Sequence, residues 1–120
     1  MAIQHFKDLK VWQQGHELVL LIYQATESFP QKEMFRLSDQ LRRAAVSVTS
    51  NIAEGFGRKS PKEKLYFYSI SHGSLLEIEN QTLIAKDLNY IEIKEYNTIQ
   101  EKISELSRML TVFKKNIPQS

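Results

Sequence analysis

The chain has no cysteine, three prolines and four glycines in 120 residues, and its longest apolar run is only the six residues 18–23. Without thiols there are no disulfides, no thiolate metal site and no cysteine nucleophile, which fits a reducing compartment and makes the cytoplasm the expected location. A six-residue run is far short of the roughly 20 residues needed to span a bilayer. The opening MAIQHFKDLK lacks the apolar segment of an export signal. Asn80-Gln81-Thr82 fits a glycosylation sequon but falls inside a predicted helix. No low-complexity stretch or internal repeat divides the chain, so residues 1–120 are expected to form a single domain that buries about two thirds of its unfolded surface.

Catalytic constellations are also missing. Three residues before the histidines stand Ala2, Gln13 and Ser69 rather than carboxylates, so the Glu-x-x-His pairs of di-metal bundles are absent, as is any His-x-x-x-His pair. No serine lies in a G-x-S-x-G elbow, and Gly55-Phe56-Gly57 has neither the preceding strand nor the third glycine of a dinucleotide fingerprint. His16 and His72 fall at or near apolar seams and are expected as hydrogen-bonded core or interface residues. No enzyme, catalytic residue, metal or cofactor is expected.

What is present is helical periodicity. Tyr96, Ile99, Ile103, Leu106, Leu110, Phe113 and Ile117 alternate spacings of three and four and predict helix four. Leu65, Tyr68, Leu75, Ile78, Thr82 and Ala85 predict helix three over about 61–88, opened by the capping box Ser60-Pro61-x-Glu63 and closed by Asn89 as a left-handed terminator. Leu41, Ala45, Val48 and Ile52 predict helix two over about 34–56, with Gly55 and Gly57 as its stop signal and a centre of small residues that permits close packing.

Helix one, about 8–28, carries two seams. One is Leu9, Trp12, His16, Val19, Tyr23 and Thr26; the other, offset by about 100°, is Val11, Gly15, Leu18, Ile22, Ala25 and Phe29. This surplus fits either a helix deep between its neighbours or an oligomer interface formed by Val11, Leu18, Ile22 and Phe29. Short connections make successive helices antiparallel, so the expected fold is all-α, an antiparallel up-down-up-down four-helix bundle.

Net charge is only +2, yet residues 36–64 hold seven Lys/Arg against three acids, a local +4, while the remainder sums to −2. Arg36, Arg42, Arg43, Arg58, Lys59, Lys62 and Lys64 are the candidate RNA- or DNA-binding residues, with the turn before helix three as an anion site; a solvated basic face is the alternative.

The stretches FKDLKVWQQGHELVLLIY and SDQLRRAAVSVTSNIAEGFGRKS resemble the four-helix-bundle family named after proteins encoded in 23S rRNA intervening sequences, and the resemblance covers nearly the whole chain. Its signatures are Phe6-Lys7-Asp8-Leu9, Trp12, Gln40-Leu41-Arg42-Arg43-Ala44 and Ser50-Asn51-Ile52-Ala53-Glu54-Gly55. That family is similar to the accessory protein of diversity-generating retroelements, a pentameric bundle that partners a reverse transcriptase and binds nucleic acid. The resemblance therefore implies a homo-oligomer, a pentamer, with RNA or DNA or a protein as further partner; an adaptor without nucleic-acid affinity of its own is the alternative. Asn51 and Glu54 share a polar column with Arg43, Ser47 and Arg58. They either satisfy polar groups between helices or subunits or line a ligand groove, and the structural role is expected because they make a poor catalytic set.

Overall fold

Two 3-10 turns and three short connections cut the chain into four helices. The computed structural model describes residues 3–118 and contains α1 (Lys10–Thr26), α2 (Leu37–Gly57), α3 (Pro61–Asp87) and α4 (Ile93–Lys115), with the turns Phe6–Asp8 and Gln31–Glu33 ahead of α1 and α2. Helix one starts at Lys10 rather than about 8, because Asp8 belongs to the first turn, and helix two starts at Leu37 rather than about 34, because residues 34–36 form a further turn after Gln31–Glu33. Ser60 accepts the Glu63 N–H as the N-cap of α3, with Pro61 at the first helical position. The reciprocal half of the capping box is replaced: the Glu63 carboxylate lies 3.9 Å from Arg58. Asn89, at φ 63°, is the left-handed residue that closes α3.

Residue pairs across each interface run in opposite senses. Arg42 meets Thr26 and Thr49 meets Gly15 between α1 and α2. Ser47 meets Ser74 and Gly55 meets Tyr68 between α2 and α3. Gln100 meets Thr82 and Phe113 meets Tyr68 between α3 and α4. Lys102 closes the ring by donating to Gln14 and lying 3.7 Å from Glu17 of α1. Each helix thus packs on its sequence neighbours, with α4 against α1, as a four-helix bundle requires. Among the described residues there is no strand, and no helix is long and apolar enough to cross a membrane.

The core is one contiguous cluster drawn from all four helices. Two polar side chains inside it are satisfied: Ser71 donates to the Val48 carbonyl at 2.8 Å, and Thr82 donates to Ile78 O while accepting from Gln100. The predicted seam of α2 lies in this core, as does that of α4 from Ile99 to Leu110; Tyr96 and Phe113 pack against it, and Ile117 falls beyond the end of α4. In α3, Leu65 does not lie in the core; it is 39% exposed.

The interface expected from helix one is corrected by the packing. Val11, Leu18, Ile22 and Phe29 belong to the bundle's own core, and Leu18 and Ile22 are fully buried. The reason is geometric: α1 lies between α2 and α4, and the centre of its buried arc is this seam. The other seam is split, with Leu9 and Thr26 buried, Trp12 and Val19 half-buried, and His16 and Tyr23 facing outward. Replacing Leu18 by Ala is expected to cost about 2–5 kcal/mol in urea denaturation, and Leu18→Glu to abolish cooperative folding rather than merely separate subunits.

α2 ends at Gly57, where the glycines place its stop, but not through a left-handed backbone. Neither Gly55 nor Gly57 adopts a positive φ. Gly55 is required by close approach, because a Cβ there would stand 2.5 Å from the Tyr68 ring. Gly57 has open space around the same position. Gly55→Ala should therefore lower stability by about 1–3 kcal/mol, whereas Gly57→Ala should be neutral or gain up to about 1 kcal/mol, both read from urea midpoints.

Candidate nucleic-acid interface

The seven candidate cations are contiguous in sequence but divided in space. Arg36 sits at the N-terminal end of α2 and Arg58 at its C-terminal end, separated by about 30 Å of helix. Arg42 and Arg43 lie along the α2 surface, whereas Lys59, Lys62 and Lys64 cluster with Arg58 at the α2–α3 turn.

Their surroundings differ as well. Arg42 is half-buried; its Nε donates to Thr26 Oγ1 at 2.8 Å and its guanidinium lies 5.2 Å from the Tyr23 ring centroid. No carboxylate pairs with it among the described residues, so it is a cation fixed in place by a hydroxyl and an aromatic face. Arg43 pairs with Asp39 at 2.8 Å, an exposed i,i+4 contact. Arg58 pairs with Glu54 at 3.0 Å and lies over Phe67. Lys64 is committed to structure: its ammonium donates to the Gly55 and Phe56 carbonyls at 3.2 and 2.9 Å, capping the end of α2 where carbonyls lack helical partners. Two of the three ammonium protons of Lys64 are thereby engaged within the chain. Arg36, Lys59 and Lys62 are exposed and make no ion pair among the described residues.

A groove of about 560 Å³ runs beside this face, lined by Tyr23, Asp39, Arg42, Arg43, Ser47 and Asn51. Asn51 donates to the Ser47 carbonyl at 2.8 Å and to Ser47 Oγ at 3.0 Å, and Ser47 shares a 2.8 Å hydrogen bond with Ser74 of α3. Asn51 is thereby tied into the α2–α3 contact. Glu54 faces solvent and bonds within its own helix. A second depression of about 560 Å³ joins Phe6, Ser50, Ala53, Glu54 and Arg58 at the turn end.

The bracket formed by Tyr23 and Thr26 around Arg42 had no local signal, since 16 residues separate the hydrogen-bonded pair. The outward face of α3 was also missed, although the doublets Leu75-Leu76 and Leu83-Ile84 place apolar residues on two sides of one helix.

The histidines stand apart from this surface. His16 is exposed and stacks on Trp12 at 4.9 Å. His72 Nε2 lies 3.0 Å from Ser107 Oγ between α3 and α4. Burial, reinforced by the positive charge of Lys114, lowers its pKa below the ordinary 6.5. Among the described residues, no group of three or more His, Asp or Glu side chains could hold a metal ion.

Four helices packed in sequence order, with α4 against α1, define a small helical protein of the four-helix-bundle class. Residues 7–112 match the family described as 23S rRNA-intervening sequence protein, and the chain belongs to that family. A solved structure of similar fold is that of a protein with unknown function from the S23 ribosomal protein family of Bacteroides thetaiotaomicron. Its TM-score is 0.81 at 20% identity, over 88% of this chain and 96% of the other. No curated protein matches the chain in sequence.

Because the folded state holds His72 neutral, the unfolded chain binds more protons as pH falls through about 6.5, and stability is lost there until the lower folded pKa is passed. The urea midpoint should therefore drop between about pH 7.5 and 5.5. In His72→Gln, which can still bond Ser107, that part of the slope should disappear.

Proposed function

We propose that the protein is a non-enzymatic bundle that assembles with copies of itself and presents cations to RNA or DNA phosphates. The observation that carries self-association is the outward face of α3. Tyr66 and Leu76 are each about 60% exposed, Ile70, Leu83 and Ile84 are partly exposed, and Gly73 stands among them with nothing within 4 Å of a Cβ position. A glycine inside a helix costs about 1 kcal/mol relative to alanine, and no contact among the described residues accounts for that cost. An apolar face with a gap at its centre suits close approach by another backbone. Five subunits is the size implied by the resemblance to the retroelement accessory protein.

Nucleic-acid contact is supported by Arg36, Arg42, Lys59 and Lys62, four of the five candidate cations without carboxylate partners among the described residues; the fifth, Lys64, is bonded to the Gly55 and Phe56 carbonyls. The second reading, an adaptor for another protein with no nucleic-acid affinity, is favoured by the same α3 face, which could dock a different chain.

Light scattering on the unmodified chain should give a multiple of 14.0 kDa, and a Tyr66→Glu/Leu76→Glu variant should return to the monomer with its helicity intact. A monomer at micromolar concentration would remove self-association. Fluorescence anisotropy with labelled single-stranded RNA and DNA should show affinity falling steeply between about 50 and 200 mM salt, and replacing Arg36, Arg42, Lys59 and Lys62 by Ala should flatten that dependence. A variant that binds as the parent does leaves the adaptor reading.

A further inference from the structure

Where the N-terminal end of α1 meets the C-terminal end of α4, a groove of about 470 Å³ opens on the surface. Leu9 and Val11 form its buried floor, and Met109 and Phe113 are half-buried along it. Ile3 and Val112 stand at its edges, 48% and 58% exposed. At the rim are Lys10 and Arg108, both exposed and both without an ion pair or side-chain hydrogen bond among the described residues. The acids that α1 and α4 share, Glu17 and Glu105, are engaged elsewhere, on Lys102.

We infer that this groove binds a medium-chain aliphatic carboxylate, its alkyl chain laid over Met109 and Phe113 and its head group held between Lys10 and Arg108. The volume falls within the range of about 300–1,000 Å³ typical of small-molecule sites, and the lining has the expected character, an apolar body with few polar groups, here Lys10, Arg108 and Asn116. Met109, half-buried along the groove, adapts to a flexible chain, since its unbranched thioether repacks at low cost. The apolar lining occupies only the last two turns of α4 and the first turn of α1, too short a track for a partner helix to bury its apolar stripe. Two cations without carboxylate partners complement one anionic head, and each charge-assisted contact is stronger than a neutral one.

Met109 makes the site directly observable. With methyl-labelled methionine, sodium decanoate should shift the Met109 ε-methyl resonance saturably, while Met34, at the opposite end of the bundle, stays in place. Lys10→Ala/Arg108→Ala should weaken binding about tenfold, which corresponds to about 1.4 kcal/mol. Val112→Glu should abolish it. All three positions are exposed, so far-UV circular dichroism should be unchanged. Decyl maltoside, with the same chain and no charge, should bind more weakly than decanoate. The inference fails if the Met109 signal does not saturate by millimolar decanoate, if the double variant or the uncharged amphiphile binds as tightly, or if Met34 shifts equally. It fails too if Met109 moves with protein concentration alone, because a second copy would then occupy the groove.

Discussion

The bundle depends on how closely α2 can approach both of its sequence neighbours. A Cβ at Gly15 of α1 would stand 3.1 Å from the Thr49 methyl, and one at Gly55 would enter the Tyr68 ring of α3. About one turn before Thr49, Ala44 and Ala45 are buried on α2. Short separation is what allows the Ser71 hydroxyl to reach the Val48 carbonyl across the interface, and Ser47 to reach Ser74. Larger side chains at these positions would separate the helices, leave those hydroxyls unpaired in the interior and expose the Leu75 and Ile78 contacts to water. Packing and polar satisfaction are therefore one constraint here.

Much of this was legible because periodicity is a local signal. The α4 seam from Ile99 to Leu110 and the α2 seam from Leu41 to Ile52 are buried as their spacing predicts. Asn89 and Ser60 work as terminator and cap because both roles rest on the residue's own backbone or on an atom three positions away. Helix one was ambiguous because two seams 100° apart are both apolar, and the one that faces the core depends on where α4 lands. Nothing within residues 10–26 encodes that position. The two glycines after Ile52 look alike in sequence, yet only the Tyr68 ring, 13 residues beyond Gly55, distinguishes them.

The charge pattern was the least legible feature, since a cation's availability depends on partners remote in sequence. Seven basic residues in one window suggest a continuous surface. The fold instead sends them to two ends of α2, assigns Lys64 to helix carbonyls and places Glu54 and Asp39 one turn from Arg58 and Arg43. Exposed i,i+4 pairs of this kind contribute only a few tenths of a kcal/mol, so Arg43 and Arg58 can exchange their carboxylates for phosphates at small cost. Arg42 differs in kind. Its hydroxyl and aromatic contacts fix the guanidinium without neutralising it, which preserves its charge for an external anion.

These features meet on α3. Between Leu65 and Ala85 the only Asp, Glu, Lys or Arg residues are Glu77 and Glu79, while Lys62 and Lys64 precede this stretch and Lys86 and Asp87 follow it. The helix thus has a long middle section poor in charge, apolar on its buried side and largely apolar on its outer side, with basic residues only at its ends. On that outer side Tyr66, Leu76, Leu83 and Ile84 face solvent beside Ser69, Glu77, Glu79 and Asn80. Covering it with a second chain would remove Tyr66, Leu76 and Ile84 from water and give Gly73 a packing role. It would leave Lys59 and Lys62 at the margin, where desolvation is slight and their charge stays available. Segregation of charge from the α3 midsection makes assembly through this helix compatible with a basic surface.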